Sequence, residues 1–363
     1  MKKIIKNLTF FLPIPTYRTG RRFANRGWQA GILHFAFLIL HSAFSNAQDI
    51  HFSQFYSSPL YLNPALTGYS SCLFRAGLDY RSQWRSVTTP FITQSAFVDS
   101  KISPKWLRHD WLGIGGLFYN DKAGDGSLSN TKATLCVSYN KGLNRRNTFY
   151  TSIGATFGFV NRSVDISKLI FDNQWNGIGF DNTLPQNEAL ASGSFIYKDF
   201  SAGILNTYLS PSGNRIFLGA SLNHINMPVV SFYNDNNRLG MKTIIHGGTS
   251  FTLSPRKVEM KPEFMVSIQK MGKEIIAGSN FQITFNDLYL YLGIWSRVLS
   301  DIIPVAGIEY HRIRFLMSYD VNISRLKPAS NLKGGLELSL IATFGCRNKV
   351  FDIKSKGLPC PSF

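Results

Sequence analysis

Beyond its amino-terminal region the sequence has no apolar run approaching the roughly 18–20 residues that a membrane-crossing helix needs. A bundle of transmembrane helices is therefore excluded. Acid is scarce: 21 Asp and Glu stand against 39 Lys and Arg, a formal charge of +18. Charge of either sign is scarce too, at 17% of residues against roughly 25% in soluble domains. Motifs that carry chemistry are missing. There is no HExxH, no GxSxG elbow and no phosphate-binding glycine loop, and His51, His109, His224, His246 and His311 show no metal-ligand spacing. His246 near Ser250 is the nearest approach to a base beside a nucleophile. Asp121, Asp125 and Ser127 come nearest to a calcium loop, without its spacing or closing Glu. The reading is no catalytic residue, no metal and no cofactor: not an enzyme. The basic excess has no nucleic-acid motif and no helical Lys/Arg stripe behind it, which argues against nucleic acid as a partner.

What is present points elsewhere. Aromatic residues make up 14% of the chain, Phe alone occurs 29 times, and mean hydropathy is −0.04. Many aromatics, few charges and neutral hydropathy fit strands whose two faces meet different media, one lipid and one polar.

The amino terminus has the order of an export signal. Residues 1–29 are basic, with Lys2, Lys3, Lys6, Arg18, Arg21, Arg22 and Arg26 and no acid. An apolar stretch, Gly31 to Phe44, follows, then the small-residue site Ser45-Asn46-Ala47. Cleavage after Ala47 is expected, so residues 1–47 form a signal peptide with a basic extension and the mature chain starts at Gln48.

Period-2 alternation then recurs along the chain. Ile153, Ala155, Phe157 and Phe159 alternate with Ser152, Gly154, Thr156 and Gly158. Leu336, Leu338, Leu340, Ala342 and Phe344 alternate with Glu337, Ser339, Ile341 and Thr343. The pattern predicts fourteen strands, over 72–80, 91–99, 111–119, 131–140, 147–160, 199–208, 214–223, 242–253, 258–269, 272–284, 287–296, 300–310, 312–320 and 334–345. Most match the roughly 9–11 residues that a tilted strand uses to cross lipid, and single-chain bacterial barrels use even strand numbers. Long connections follow odd-numbered strands (161–198, 224–241, 321–333) and short ones follow even-numbered strands. The predicted fold is all-β: one transmembrane antiparallel barrel over 71–345 in the bacterial outer membrane, surrounded by outer-membrane lipid. Its lead-in is 48–70, periplasmic or luminal, and its periplasmic tail is 346–363. Both termini are expected on the periplasmic side.

Several segments resemble one family. After the predicted cleavage site stands Gln48-Asp49-Ile50-His51-Phe52-Ser53-Gln54-Phe55-Tyr56, then Pro59-Leu60-Tyr61-Leu62-Asn63-Pro64-Ala65. Tyr80-Arg81-Ser82-Gln83-Trp84, Ala123-Gly124-Asp125-Gly126-Ser127-Leu128-Ser129, Asp199-Phe200-Ser201-Ala202-Gly203 and Ser318-Tyr319-Asp320 follow in order. Together they are similar to the motifs of the PorP/SprF family of type IX secretion outer-membrane proteins. The basic amino-terminal extension, Ile50 and Arg85 depart from the family pattern. The resemblance implies a barrel serving the secretion and gliding system of Bacteroidetes. It also implies three partners: a secreted, adhesin-like surface protein, a periplasmic peptidoglycan-binding protein and the secretion machinery. The alternative is an outer-membrane channel for small or hydrophobic solutes.

The lead-in is the candidate partner or plug segment. Phe52, Phe55, Tyr56 and Tyr61 crowd it with apolar surface that needs a cover, and Asn63-Pro64 argues against a regular strand. Export places the cysteines in an oxidising compartment. Cys346 and Cys360 are the expected disulfide, closing a small loop in the tail, while Cys72 and Cys136 are expected buried in strand faces.

Overall fold

The computed structural model describes residues 49–85, 89–107, 110–144, 146, 148–181, 183–185, 192–211, 213–233, 235–254, 258–324 and 330–346. The predicted signal peptide, its cleavage site and the tail beyond Cys346 lie outside these residues. The strands are β1 Phe74–Gln83, β2 Phe91–Ile102, β3 Trp111–Ala123, β4 Leu128–Gly142, β5 Phe149–Ser163, β6 Ser194–Leu209 and β7 Arg215–Asn223. The second half holds β8 Lys242–Ser254, β9 Val258–Gln269, β10 Gly272–Phe285, β11 Leu288–Arg297, β12 Asp301–Tyr310, β13 Ile313–Asn322 and β14 Lys333–Phe344. Each pairs antiparallel with its chain neighbours, and β14 returns to β1, from Phe74↔Phe344 to Gln83↔Gly335, closing the barrel. Closure removes both sheet edges, which lipid would otherwise leave without hydrogen-bond partners.

Alternation drives this arrangement. Leu78, Val98, Leu135, Leu218, Phe315 and Leu340 point outward and are 40–67% exposed. Leu290 and Leu338 share the outward register of their strands. Between them Arg75, Asp79, Arg81, Asp99, Glu337 and Ser339 point inward and are buried. The apolar face is outside and the polar face inside, as lipid requires. The rim where β1 begins and β14 ends, here the near rim, carries turns as tight as Asn286-Asp287 and His311-Arg312. His311 and Arg312 both take positive φ (47° and 71°), which a two-residue hairpin turn of this hand requires. The far rim carries the long connections 164–193, 224–241 and 323–332.

At the near rim Cys72 is bonded to Cys346. The expected Cys346–Cys360 pair is therefore wrong: barrel closure brings the start of β1 and the end of β14 together, and the disulfide bridges that seam. Cys72 lies ahead of β1 rather than in a strand face. Cys136 is a buried thiol on the inner face of β4, against Leu60, Phe97 and Leu117.

Candidate functional site

The barrel encloses its own lead-in. From Asp49 to Tyr69 nearly every residue is buried, and Phe55, Tyr56, Leu62, Ala65, Leu66 and Tyr69 join wall residues Trp111, Leu205, Trp295 and Leu316 in one apolar cluster. Pro59–Leu62 forms a single helical turn, flanked by 3-10 turns at Phe55–Ser57 and Pro64–Leu66. Pro at the first position of two of these turns presets φ and lacks a donor that would go unused. The residues singled out from sequence, Phe52, Phe55, Tyr56, Tyr61, Asn63 and Pro64, thus lie together inside the lumen. Between the periplasmic and luminal alternatives, the geometry is luminal.

The segment runs the height of the barrel. Asp49 is at the far rim, where its backbone N–H donates to Gln269 Oε1 at 3.0 Å and its carboxylate meets His224 Nε2. Tyr69 is at the near rim, its hydroxyl 2.6 Å from Thr207 Oγ1. Asp49 and Cys346 therefore lie at opposite rims. The lead-in threads the lumen from one rim to the other, and the carboxyl end of the chain lies outside the described residues.

Three sets of contacts hold it. In the middle, Glu337 accepts from the backbone N–H of Ser53 and of Gln54, each at 2.8 Å. Ser53 Oγ donates to Asp320 at 2.7 Å and accepts from Arg81 (2.6 Å) and Arg297 (2.8 Å). Arg81 also pairs with Asp320 and Glu337, and Arg297 with Glu274 and Asp301. Charges so buried persist only when paired and hydrogen-bonded. Beside this network Tyr56 stacks on Trp295 at 5.0 Å while Phe55 meets the same ring edge-on at 5.4 Å. His51 lies next to Arg81, whose guanidinium donates to its Nε2 at 3.4 Å.

Toward the near rim the contacts include wall backbone as well as side chains. Asn63 Nδ2 donates to Ile204 O (3.0 Å), Ala220 O (3.3 Å) and His246 Nε2 (3.0 Å), while its Oδ1 caps Ala65 N–H at 2.9 Å. His246 is thus occupied with the lead-in, not poised over Ser250. The wall is glycine where the segment is closest. A Cβ on Gly154 would stand 2.3 Å from the Pro64 carbonyl carbon, one on Gly203 2.0 Å from Asn63 Oδ1, and one on Gly113 2.1 Å from Thr67 O. No larger residue fits there.

At the far rim His224, just past β7, donates from Nδ1 to Asp199 at 2.8 Å and from Nε2 to Asp49; Lys132 pairs with Asp199 at 2.5 Å. Burial opposes a charge on His224, but Asp49 and Asp199 outweigh it and raise its pKa to about 9. Burial likewise pushes the Asp49 carboxyl up, and His224, Lys242 and Lys132 outweigh that and hold it well below the carboxylate range. Lys242 also donates to Tyr61 Oη at 2.9 Å, and Tyr61 donates to Ile50 O. The fit is close: a cavity among His51, Phe52, Tyr61, Lys242 and Glu274 measures about 10 Å³, at the lower limit for one water.

Sequence reasoning named the lead-in but not its wall partners. The signal was present: Arg81, Asp199, Gly203, Ser318 and Asp320 all belong to the dispersed motifs, and each meets the lead-in or the clasp that holds it. Ser318 accepts from Gln54 Nε2 at 2.9 Å. The Ala123–Ser129 motif is the exception; it forms the far-rim turn between β3 and β4, with Gly124 and Ser127 at positive φ. Asp125 there accepts from Thr89, and among the described residues no group of acids, His or Cys is arranged to hold a metal.

A closed fourteen-strand antiparallel barrel, apolar outside and polar inside, is an outer-membrane β-barrel. Its family follows from the family profile described as "Type IX secretion system membrane protein PorP/SprF", which matches residues 44–341. The chain belongs to the PorP/SprF family and is an outer-membrane component of type IX secretion. No curated protein matches it. Among solved structures it is similar to the toluene transporter TbuX of Ralstonia pickettii (10% identity, 79% of this chain and 94% of that one, TM-score 0.45). It is also similar to the monoaromatic hydrocarbon channel CymD (12%, 79% and 93%, 0.45) and to a FadL homologue of Pseudomonas aeruginosa (9%, 80% and 94%, 0.44).

Proposed function

We propose that this barrel supports export and surface anchoring of a particular secreted partner, with the lead-in as a fixed luminal plug rather than a solute gate. The observation that carries this is the plug itself. Inward side chains along the wall, among them Glu337, Asp320, Arg81, His246, Ser221 and Thr207, hydrogen-bond residues 49–69, so this part of the polar lumen holds protein instead of solvating a passing molecule. In this reading the near rim faces the periplasm, toward the secretion machinery and a peptidoglycan-binding partner, and the far-rim loops face the exported surface protein. Membership of a secretion family supports it; the lumen gives the solute-channel alternative no comparable support.

The test is extraction of the affinity-tagged protein from producing cells in mild detergent. A single secreted surface protein is expected to co-purify, and its surface level is expected to fall when residues 50–62 are deleted. The deletion leaves the strand ladder intact, so heat-modifiable gel migration is expected to persist. Absence of any secreted protein from the wild-type extract, together with a large steady single-channel current in planar bilayers, would replace this reading with the channel.

A further inference from the structure

Closure does not pair every strand over its whole length. β6 runs from Ser194 to Leu209, and β5 pairs with it throughout, from Ser163↔Ser194 to Phe149↔Tyr208. On its other side β7 reaches only from Arg215↔Leu209 to Leu222↔Ala202. Eight residues of β6, roughly 25 Å of strand at 3.3 Å per residue, rise past the last rung with β7 at the far rim. The connection after β7 covers the lower part of this edge. Ile225 N–H donates to Phe200 O at 3.0 Å, and the Asn226 side chain accepts from Phe200 N–H and donates to Lys198 O at 2.7 Å.

These contacts fix the polarity of the edge. Residues 198 and 200 present their backbone groups away from β5, so by the strand's period of two Ile196 and Ser194 do the same. Ser194 O accepts from Ser192 Oγ. The Ile196 N–H and C=O and the Lys198 N–H have no partner among the described residues. Ile196 is 70% exposed, and Phe232 packs on Phe195 at 4.9 Å on the inner face; among the described residues nothing pairs with the edge itself.

We propose that β6 at Ser194–Lys198 is a docking edge that takes an extended segment of the exported partner as an added strand. This rests on the function proposed above and names where that partner binds. The chemistry selects the occupant. Backbone donors and acceptors spaced every second residue are matched by a β-strand and by neither a helix nor a lipid chain. A second copy in the same membrane is a poor fit. Barrel strands tilt about 35–45° from the membrane normal, so two β6 edges brought face to face by a two-fold along that normal cross at roughly twice this angle and form no ladder. The added strand spans about four to six residues, with an apolar side chain beside Ile196 on the outer face.

Ile196→Pro tests this selectively. Proline removes the edge N–H and fills the edge with its ring, yet breaks no rung with β5, because that N–H points the other way. The tagged barrel is extracted from producing cells in mild detergent, and the co-purified surface protein is quantified. I196P is expected to retain at least tenfold less of it, with unchanged heat-modifiable migration, while Ile196→Thr stays within twofold of wild type. A photo-crosslinking p-benzoylphenylalanine at position 196 is expected to join the barrel to a short segment of that protein, and one at the lipid-facing position 204 to join it to none. This arm does not depend on the proline variant folding. Undiminished retention by I196P, a crosslink that yields a barrel dimer, or no crosslink at 196 overturns the docking edge while the proposed function stands. A wild-type barrel that retains no secreted protein overturns both.

Discussion

Gly154→Ala isolates the seating of the plug from the stability of the wall. The added methyl would stand 2.3 Å from the Pro64 carbonyl carbon and 2.5 Å from Ala65 N. Carbon contacts settle near 3.5–4.0 Å, so one partner must move by more than about 1 Å. Neither can escape by changing rotamer, since both are backbone: Gly154 is held by rungs to Ser138 and Gly203, and Pro64 opens a hydrogen-bonded turn. Overpacking of this kind costs about 1–3 kcal/mol. Because the clash is with the plug, the cost falls on docking, and at 1.4 kcal/mol per decade the undocked population rises about 5- to 150-fold. Gly116→Ala is the matched control. It gains the same strand propensity but points outward, where its methyl would meet only Thr134 O at 3.7 Å. Planar-bilayer recordings read the undocked state as open events, and heat-modifiable migration reads barrel closure. G154A is expected to open more often than wild type by that factor with normal migration, and G116A to match wild type. Equal open probability in the two variants would refute the glycine cradle; loss of the barrel in G154A alone would show that plug and wall fold as one unit.

Three other outcomes follow from named contacts. Leu338→Arg places a cation on the lipid face of β14 and is expected to cost about 2–4 kcal/mol near midplane, read as loss of heat-modifiable barrel; full recovery of folded protein would mean that the outward face is misassigned. The far-rim clasp is pH-dependent: His224, raised from 6.5 to about 9, contributes fully below 6.5 and loses its contribution as pH climbs through 9, whereas Asp49, held low, contributes above 3.8. A nitroxide on Ile50→Cys is therefore expected to be immobile near pH 6 and mobile above pH 9, and mobile at both in His224→Gln; one spectrum throughout would sink the clasp. Peptide mapping under non-reducing conditions is expected to recover Cys72 joined to Cys346 and to find Cys136 alkylated only after unfolding, and a Cys346–Cys360 peptide would contradict the seam disulfide.

The strands were legible because lipid imposes a simple rule on one face. Leu338 against Glu337 and Phe157 against Thr156 alternate as cleanly in sequence as in the barrel, and each of the fourteen predicted strands overlaps an observed one. Ends were less legible where lipid no longer applies. β1 was expected to stop at Tyr80 but continues through Arg81, Ser82 and Gln83, because an inward Arg that meets Ser53 and Asp320 reads in isolation like the start of a loop. β6 was expected from Asp199 but starts at Ser194, on the arm that stands above the rim and carries no requirement for alternation. The disulfide was hidden for a different reason. Cys72 and Cys346 are 274 residues apart, and proximity in sequence favoured Cys360; only closure of β1 on β14 makes the distant pair the near one.

The plug was half legible, and the missing half explains the dispersed motifs. Inward acids and bases look alike in sequence whether they line water or grip a peptide, so Arg81, Arg297, Asp320 and Glu337 gave no sign of which they do. What separates the cases is glycine. A water-filled lumen has no use for Gly113, Gly154 and Gly203 on inward strand positions, where each costs roughly 0.5–1 kcal/mol relative to Ala. A lumen packed with backbone does, because those are the points where Thr67, Pro64 and Asn63 press against the wall. Not every inward glycine serves the plug, since Gly77, Gly278, Gly293 and Gly307 lie against wall residues instead; the three that face Thr67, Pro64 and Asn63 do. Seating of the lead-in also accounts for the motifs at Arg81, Asp199–Gly203 and Ser318–Asp320, though not for the far-rim turn Ala123–Ser129: in the closed barrel those three converge on a segment whose first described residue, Asp49, is at the rim of the long loops. Disturbing the loop base at His224 thus acts on the plug directly, through its hydrogen bond to Asp49.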